Sequence, residues 1–135
     1  MSDPPRISDV RYEDLEPGVR FGPYAERLER SASDRLRGAV GETKPGELAP
    51  AGVVPLLFLK TLRRALGGIP PGGILARQRF EFHRPLPSEC TVETEAWVGE
   101  QYERRGRFYT VFEFSVRLPG AEPAATGTMV IAAPP

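Results

Sequence analysis

The stretch GETKPGE, residues 41–47, sets two carboxylates, Glu42 and Glu47, around Lys44 and Pro45, just ahead of a long apolar run. Two carboxylates held close together push one pKa upward, which suits one as a general acid and the other as a base. A solvated loop carries the same residues with no chemistry at all, and that reading of Glu42 and Glu47 stands first. Other reactive side chains are sparse, with one histidine, His83, and one cysteine, Cys90. His83 lies in an alternating stretch on the side that carries Arg77 and Arg79, so it reads as a surface or interface histidine. Cys90 reads as a small apolar strand residue and not a nucleophile. Arg104, Arg105 and Arg107 cluster at an expected hairpin, where a solvated tip is the first reading and phosphate contact the second. The glycine-rich GGIPPGG lacks the Lys-Ser/Thr ending of a phosphate loop and is a turn. No residue set here suggests a metal site.

The elements that must position this loop follow from periodicity. Residues 52–66, GVVPLLFLKTLRRAL, predict a helix that is apolar over most of its circumference, with Lys60, Arg63 and Arg64 on a narrow polar face. Pro55 is tolerated in its first turn, and Gly67-Gly68 stops it. A helix this apolar should be wrapped by something. The stretch ILARQRFEFHRPL alternates, with Ala76, Gln78, Phe80 and Phe82 on one face. TVETEAWVGEQYE and RFYTVFEFSVRL alternate again, joined by Arg105-Gly106 as a hairpin turn, and AATGTMVIAA closes the chain. Trp97, Tyr102 and Tyr109 read as sheet packing. Upstream, a strand is expected from about Val19 to Leu28. A short helix then runs to about Val40, capped by Ser31 or Ser33, with Asp34 in its first turn. Residues 1–18 read as an irregular arm, because Pro4, Pro5, Pro17 and Gly18 discourage regular structure. The expected class is α+β: a single domain, 1–135, with about five antiparallel strands around a long helix.

Composition narrows the function classes. The chain of 135 residues is long enough to bury about two-thirds of its unfolded surface in one core. Its 18 basic and 18 acidic residues balance, so charge makes no case for nucleic acid. A near-neutral chain has little repulsion between copies, which permits oligomers. The lone cysteine excludes an intrachain disulfide and fits a reducing cytoplasm. No apolar run reaches membrane-span length and the N-terminus lacks a signal-peptide core, so a cytoplasmic location and no membrane association are expected.

Three segments together resemble a known family. YEDLEPGVRF at 12–21 looks like a Tyr-x-Asp-Leu-x-x-Gly run before a first strand; LAPAGVVPLLFLKTL looks like a central helix opened by glycine. RQRFEFHRPLPSECTVET is similar to an RF…P…GD strand and turn, with Ser88-Glu89 where Gly-Asp is usual. In this order they resemble the MaoC-like proteins, the (R)-specific enoyl-CoA hydratases and dehydratases of the hotdog fold, over nearly the whole chain. The resemblance implies two protomers side by side, with an acyl-thioester tunnel at their interface. It implies acyl-CoA as substrate or ligand, no separate cofactor, and a partner that is a second hotdog subunit or another copy of this chain.

Hydration of an enoyl thioester needs a base for water, an acid for the α-carbon, and donors for the enolate oxygen. The family's loop for the first two is Gly-Asp-x-Asn-Pro-x-His. Here Gly41 and Pro45 match, but Glu42 stands at the Asp position, Lys44 at the Asn position and Glu47 at the His position. The donor half is retained: Gly52 matches the helix-initiating glycine, flanked by Ala51 and Val53. The substrate-binding residues implied are therefore Gly52, Ala51, Val53 and Pro45, with Glu42 and Glu47 as the only candidates for catalysis. Lys44 reads as solvated first and as a partner for a coenzyme A phosphate second. The leading expectation is a non-catalytic, pocket-forming subunit of a heteromeric hydratase for a bulky acyl group. A self-sufficient hydratase or thioesterase using Glu42 or Glu47, and a non-enzymatic ligand-binding homodimer, are the alternatives.

Overall fold

The computed structural model describes residues 10–41 and 46–135. Five strands form one antiparallel sheet: β1 (Arg20–Leu28), β2 (Ile74–Phe82), β3 (Cys90–Arg104), β4 (Arg107–Arg117) and β5 (Ala125–Ala132), in the spatial order β1-β3-β4-β5-β2. Between β1 and β2 the chain forms α1 (Arg30–Ala39) and α2 (Val53–Leu66). This is the α+β hotdog architecture expected from the sequence. The β3–β4 hairpin turns at Arg105 and Gly106, both with positive φ, the conformation a two-residue turn needs.

α2 lies across one face of the sheet. The strand residues pointing at it are apolar and buried: Val92, Ala96 and Val98 from β3, Phe112, Phe114 and Val116 from β4, and Met129 and Ile131 from β5. Phe58, fully buried, stacks on Phe114 at 4.9 Å between ring centroids and also meets Phe80 at 5.8 Å. Gly127 makes this approach possible, because a Cβ there would lie 3.0 Å from the Phe58 ring and 2.6 Å from the Arg79 carbonyl oxygen. The helix ends where expected, with Gly67 in the left-handed conformation. Tyr12, in a single 3-10 turn over Tyr12–Asp14, is buried against Phe112 and donates its hydroxyl to the Gly68 carbonyl at 2.7 Å.

Three expectations change. α2 is wrapped on one side only: Leu57, Phe58 and Leu62 are buried, but Leu56 and Leu59 are exposed beside Lys60 and Arg63. Its sequence is apolar enough to be enclosed, yet a single sheet covers just one face. β2 is an edge strand whose expected inward face is covered mainly at Phe80, leaving Phe82 54% exposed. A register shift between Leu75 and Arg77 also breaks the alternation at Ala76. Finally, no serine caps α1: Glu29 is the N-cap without a side-chain bond, and Ser33 instead donates to the Ser88 carbonyl at 2.9 Å. Asp34 falls beyond the first turn and pairs with Arg37.

Candidate functional site

A cleft of about 330 Å³ opens at the start of α2. One wall is Ala49 to Ala51 with Val53 and Val54; the other is the chain leaving β2, from Phe82 to Leu86, backed by Ala124 and Ala125. The small side chains of four alanines leave the space. The exit of β2 is pinned, since the backbone N–H groups of His83 and Arg84 both donate to the Ala124 carbonyl, at 2.8 and 3.0 Å. The His83 imidazole Nε2 lies 3.2 Å from the Thr126 hydroxyl. His83 and Arg84 are the charged or titratable side chains of this wall, and no carboxylate lines the cleft among the described residues.

The facing wall is held by a buried arginine. Ser33 and Arg37, one helical turn apart, are the buried residues of α1. The Arg37 guanidinium donates to the Gly46 carbonyl at 3.1 Å, to the Leu48 carbonyl, and to the Ser88 hydroxyl at 2.5 Å, and pairs with Asp34. Ser88 in turn donates to the Gly46 carbonyl at 2.5 Å. Backbone bonds from Ala49 N–H to the Leu86 carbonyl and from Ser88 N–H to the Glu47 carbonyl, both 2.7 Å, complete the join. Each donor of a buried guanidinium needs such a partner, because an unpaired one costs its full desolvation.

The residues singled out in the sequence divide accordingly. Ala51 and Val53 line the cleft. Gly52 caps α2 and is exposed; its missing Cβ would lie 3.0 Å from Leu36, so it faces α1 rather than the cleft wall. The amides of Val53 and Val54 already close turns onto the Pro50 and Ala51 carbonyls, both at 3.1 Å. Glu47 is exposed and lends the join its carbonyl, with its carboxylate outside the cleft lining. Glu42, Lys44 and Pro45 lie outside the described residues. His83, read as a surface or interface histidine, is exposed and also lines the cleft, because the chain turns away from strand geometry after Phe82. Cys90 is half-buried, and burial raises its thiol pKa against the opposing pull of Arg27, so the thiol stays protonated. Among the described residues no group of acidic, histidine or cysteine side chains is placed to hold a metal ion.

Sequence reasoning missed Arg37, Ser88, Leu86, Ala124 and Ala125. An arginine in an amphipathic helix carries no mark that distinguishes burial from solvation. The Ala124-Ala125 pair follows a Pro-Gly turn and offers only small size as a signal.

No protein-family model matches the sequence, and a search of curated proteins gives no match. Solved structures do match. The (R)-hydratase from A. caviae involved in PHA biosynthesis superposes with a TM-score of 0.73 at 18% identity, over 90% of this chain and 99% of that one. The MaoC-like dehydratase from Rhodospirillum rubrum gives 0.72 at 16% identity, over 93% and 98%. A chain of the HadBC (3R-hydroxyacyl-ACP dehydratase) complex from Mycobacterium tuberculosis gives 0.71 at 18% identity, over 87% and 96%. At such identities it is the backbone arrangement that is shared, and this chain has the hotdog fold of the MaoC-like dehydratases and (R)-hydratases.

Proposed function

We propose that this chain is a MaoC-like subunit that binds an acyl thioester and shapes its pocket within a heteromeric (R)-specific hydratase or dehydratase, while its partner supplies the proton-transfer residues. The observation that carries this reading is the placement of the cleft. It opens beside the uncovered β2 edge, and Phe82 belongs to both. Its described walls are mostly apolar and hold no carboxylate to activate water. At about 330 Å³ it sits at the lower end of ligand pockets, roughly 300–1,000 Å³, so a bulky acyl group needs a second wall. An exposed edge strand bearing Ile74 and Phe82, next to exposed Leu56 and Leu59 on α2, is a surface that a second hotdog unit would cover. The similarity to a chain of the HadBC complex supports a two-subunit arrangement. The single cysteine is in keeping with a cytoplasmic setting.

Co-expression with a hotdog chain that carries Gly-Asp-x-Asn-Pro-x-His tests the reading. The expected result is a stable complex that hydrates a trans-2-enoyl-CoA, with no turnover by this chain alone. Phe82→Lys should abolish complex formation on a sizing column. Turnover by the isolated chain that disappears in Glu42→Ala or Glu47→Ala would replace this proposal with a self-sufficient enzyme.

A further inference from the structure

A second cleft, of about 420 Å³, opens on the sheet face turned away from α2, at the end closed by the β3–β4 hairpin. Arg77 reaches it from β2 and Arg104 and Arg105 from the hairpin, over a floor that includes Tyr102 and Tyr109. The two tyrosines are a cross-strand pair stacked on each other at 5.1 Å with their planes 9° apart, an aromatic pair at the base of the cleft.

Two features, backbone strain and convergence, set this cluster apart from ordinary surface charge. Some arginines sit beside a carboxylate, Arg20 and Arg117 by Glu95, Arg27 by Glu89 and Arg79 by Glu81, all within 3.9 Å, while the exposed Arg30, Arg35, Arg63 and Arg84 stand singly without an ion pair among the described residues. None of the ion pairs among the described residues reaches Arg77, Arg104 or Arg105, and strand alternation carries Glu103 to the opposite face. Arg105 also takes φ 51°, in a turn that asparagine or glycine would fill with less strain. A charged side chain is thereby held at the cleft rim at a conformational cost. The second feature is convergence, since the guanidiniums come from two segments far apart in sequence.

Guanidinium forks match the paired oxygens of phosphate groups, and an aromatic floor offers a surface to a planar ring. We propose that this cleft binds the diphosphate of a nucleotide, supplied either by a free nucleoside diphosphate or by the nucleotide end of a coenzyme A. The proposal stands apart from the reading of the apolar cleft.

Calorimetric titration of the purified chain with inorganic pyrophosphate, ADP and coenzyme A tests it. Pyrophosphate and ADP should both bind saturably with a Kd below about 1 mM. Arg77→Gln, Arg104→Gln and Arg105→Gln should each weaken that binding about tenfold with unchanged thermal midpoints. Arg35→Gln, an exposed arginine on α1, should leave it unaltered. Coenzyme A binding no tighter than ADP assigns the site to a free nucleotide; tighter binding that the same variants weaken assigns it to the coenzyme. Absence of saturable binding by pyrophosphate or ADP, or equal loss in Arg35→Gln, overturns the proposal. So does an effect of the variants confined to association with a second subunit, which would make the cluster a contact for an acidic protein surface. Pyrophosphate carries no acyl chain, so its failure leaves the apolar cleft to its own test.

Discussion

The segment of residues 46–49 that leads into the apolar cleft is held by polar atoms, whereas α2 is held by apolar contact. On the first side, one guanidinium joins α1, the Gly46 and Leu48 carbonyls and Ser88. On the second, Phe58 and Leu57 press on the sheet with almost no exposed surface. Hydrogen bonds depend on direction and count, so the polar join fails as a unit when its hub changes shape. Apolar packing depends mainly on volume, so it degrades in proportion to what is removed. The α2 side is therefore where the cavity can change size between related chains, and the Arg37 side is where its outline is fixed.

The contrast can be broken at its strongest point first. Phe58→Ala should cost about 4 kcal/mol of unfolding free energy, read by denaturant titration, and Phe58→Leu less than half of that. Arg37→Met should cost about 3 kcal/mol, because Ser88 and two carbonyls lose their donor. Arg37→Lys should recover little, since an ammonium cannot reproduce the fork. If Lys restores most of the stability while Leu at position 58 restores none, the assignment of the two chemistries is reversed. The smallest effect concerns the far end of α2, tied through Tyr12 to the Gly68 carbonyl. Burial raises the Tyr12 phenol above its ordinary pKa of 10.0, so the folded state favours the neutral form. That contribution is intact below about pH 10 and is lost as pH climbs toward the folded-state pKa. Tyr12→Phe should cost about 1 kcal/mol at neutral pH and flatten the alkaline fall in thermal midpoint.

The apolar half of this comparison was legible in the sequence and the polar half was not. Alternation in TVETEAWVGEQYE and RFYTVFEFSVRL, the 52–66 periodicity and the Arg105-Gly106 turn are local signals, and each element formed where they place it. The Arg37 join is built from residues up to 51 positions apart, each unremarkable in its own segment. Ser33 suits a cap by residue type, and only the fold reveals that its hydroxyl is committed elsewhere. His83 follows the strand alternation in sequence, yet the strand stops at Phe82 and the chain bends into the cleft. Leu56 and Leu59 show the converse: their apolarity was plain, but the side they face is decided by which strands exist to cover them.

The notch at Gly127 has a consequence for how such a cavity can be remodelled. With the Phe58 ring seated where a side chain would otherwise stand, α2 is keyed to β5 at one point near its middle and cannot slide lengthwise without colliding with the strand. Divergence of ligand size in this scaffold must therefore proceed by trimming or enlarging side chains carried on the rod, with the position of its axis as a fixed datum. A smaller residue at position 58 would not by itself admit a side chain at 127, because the Arg79 carbonyl oxygen of the neighbouring strand would still lie 2.6 Å from its Cβ.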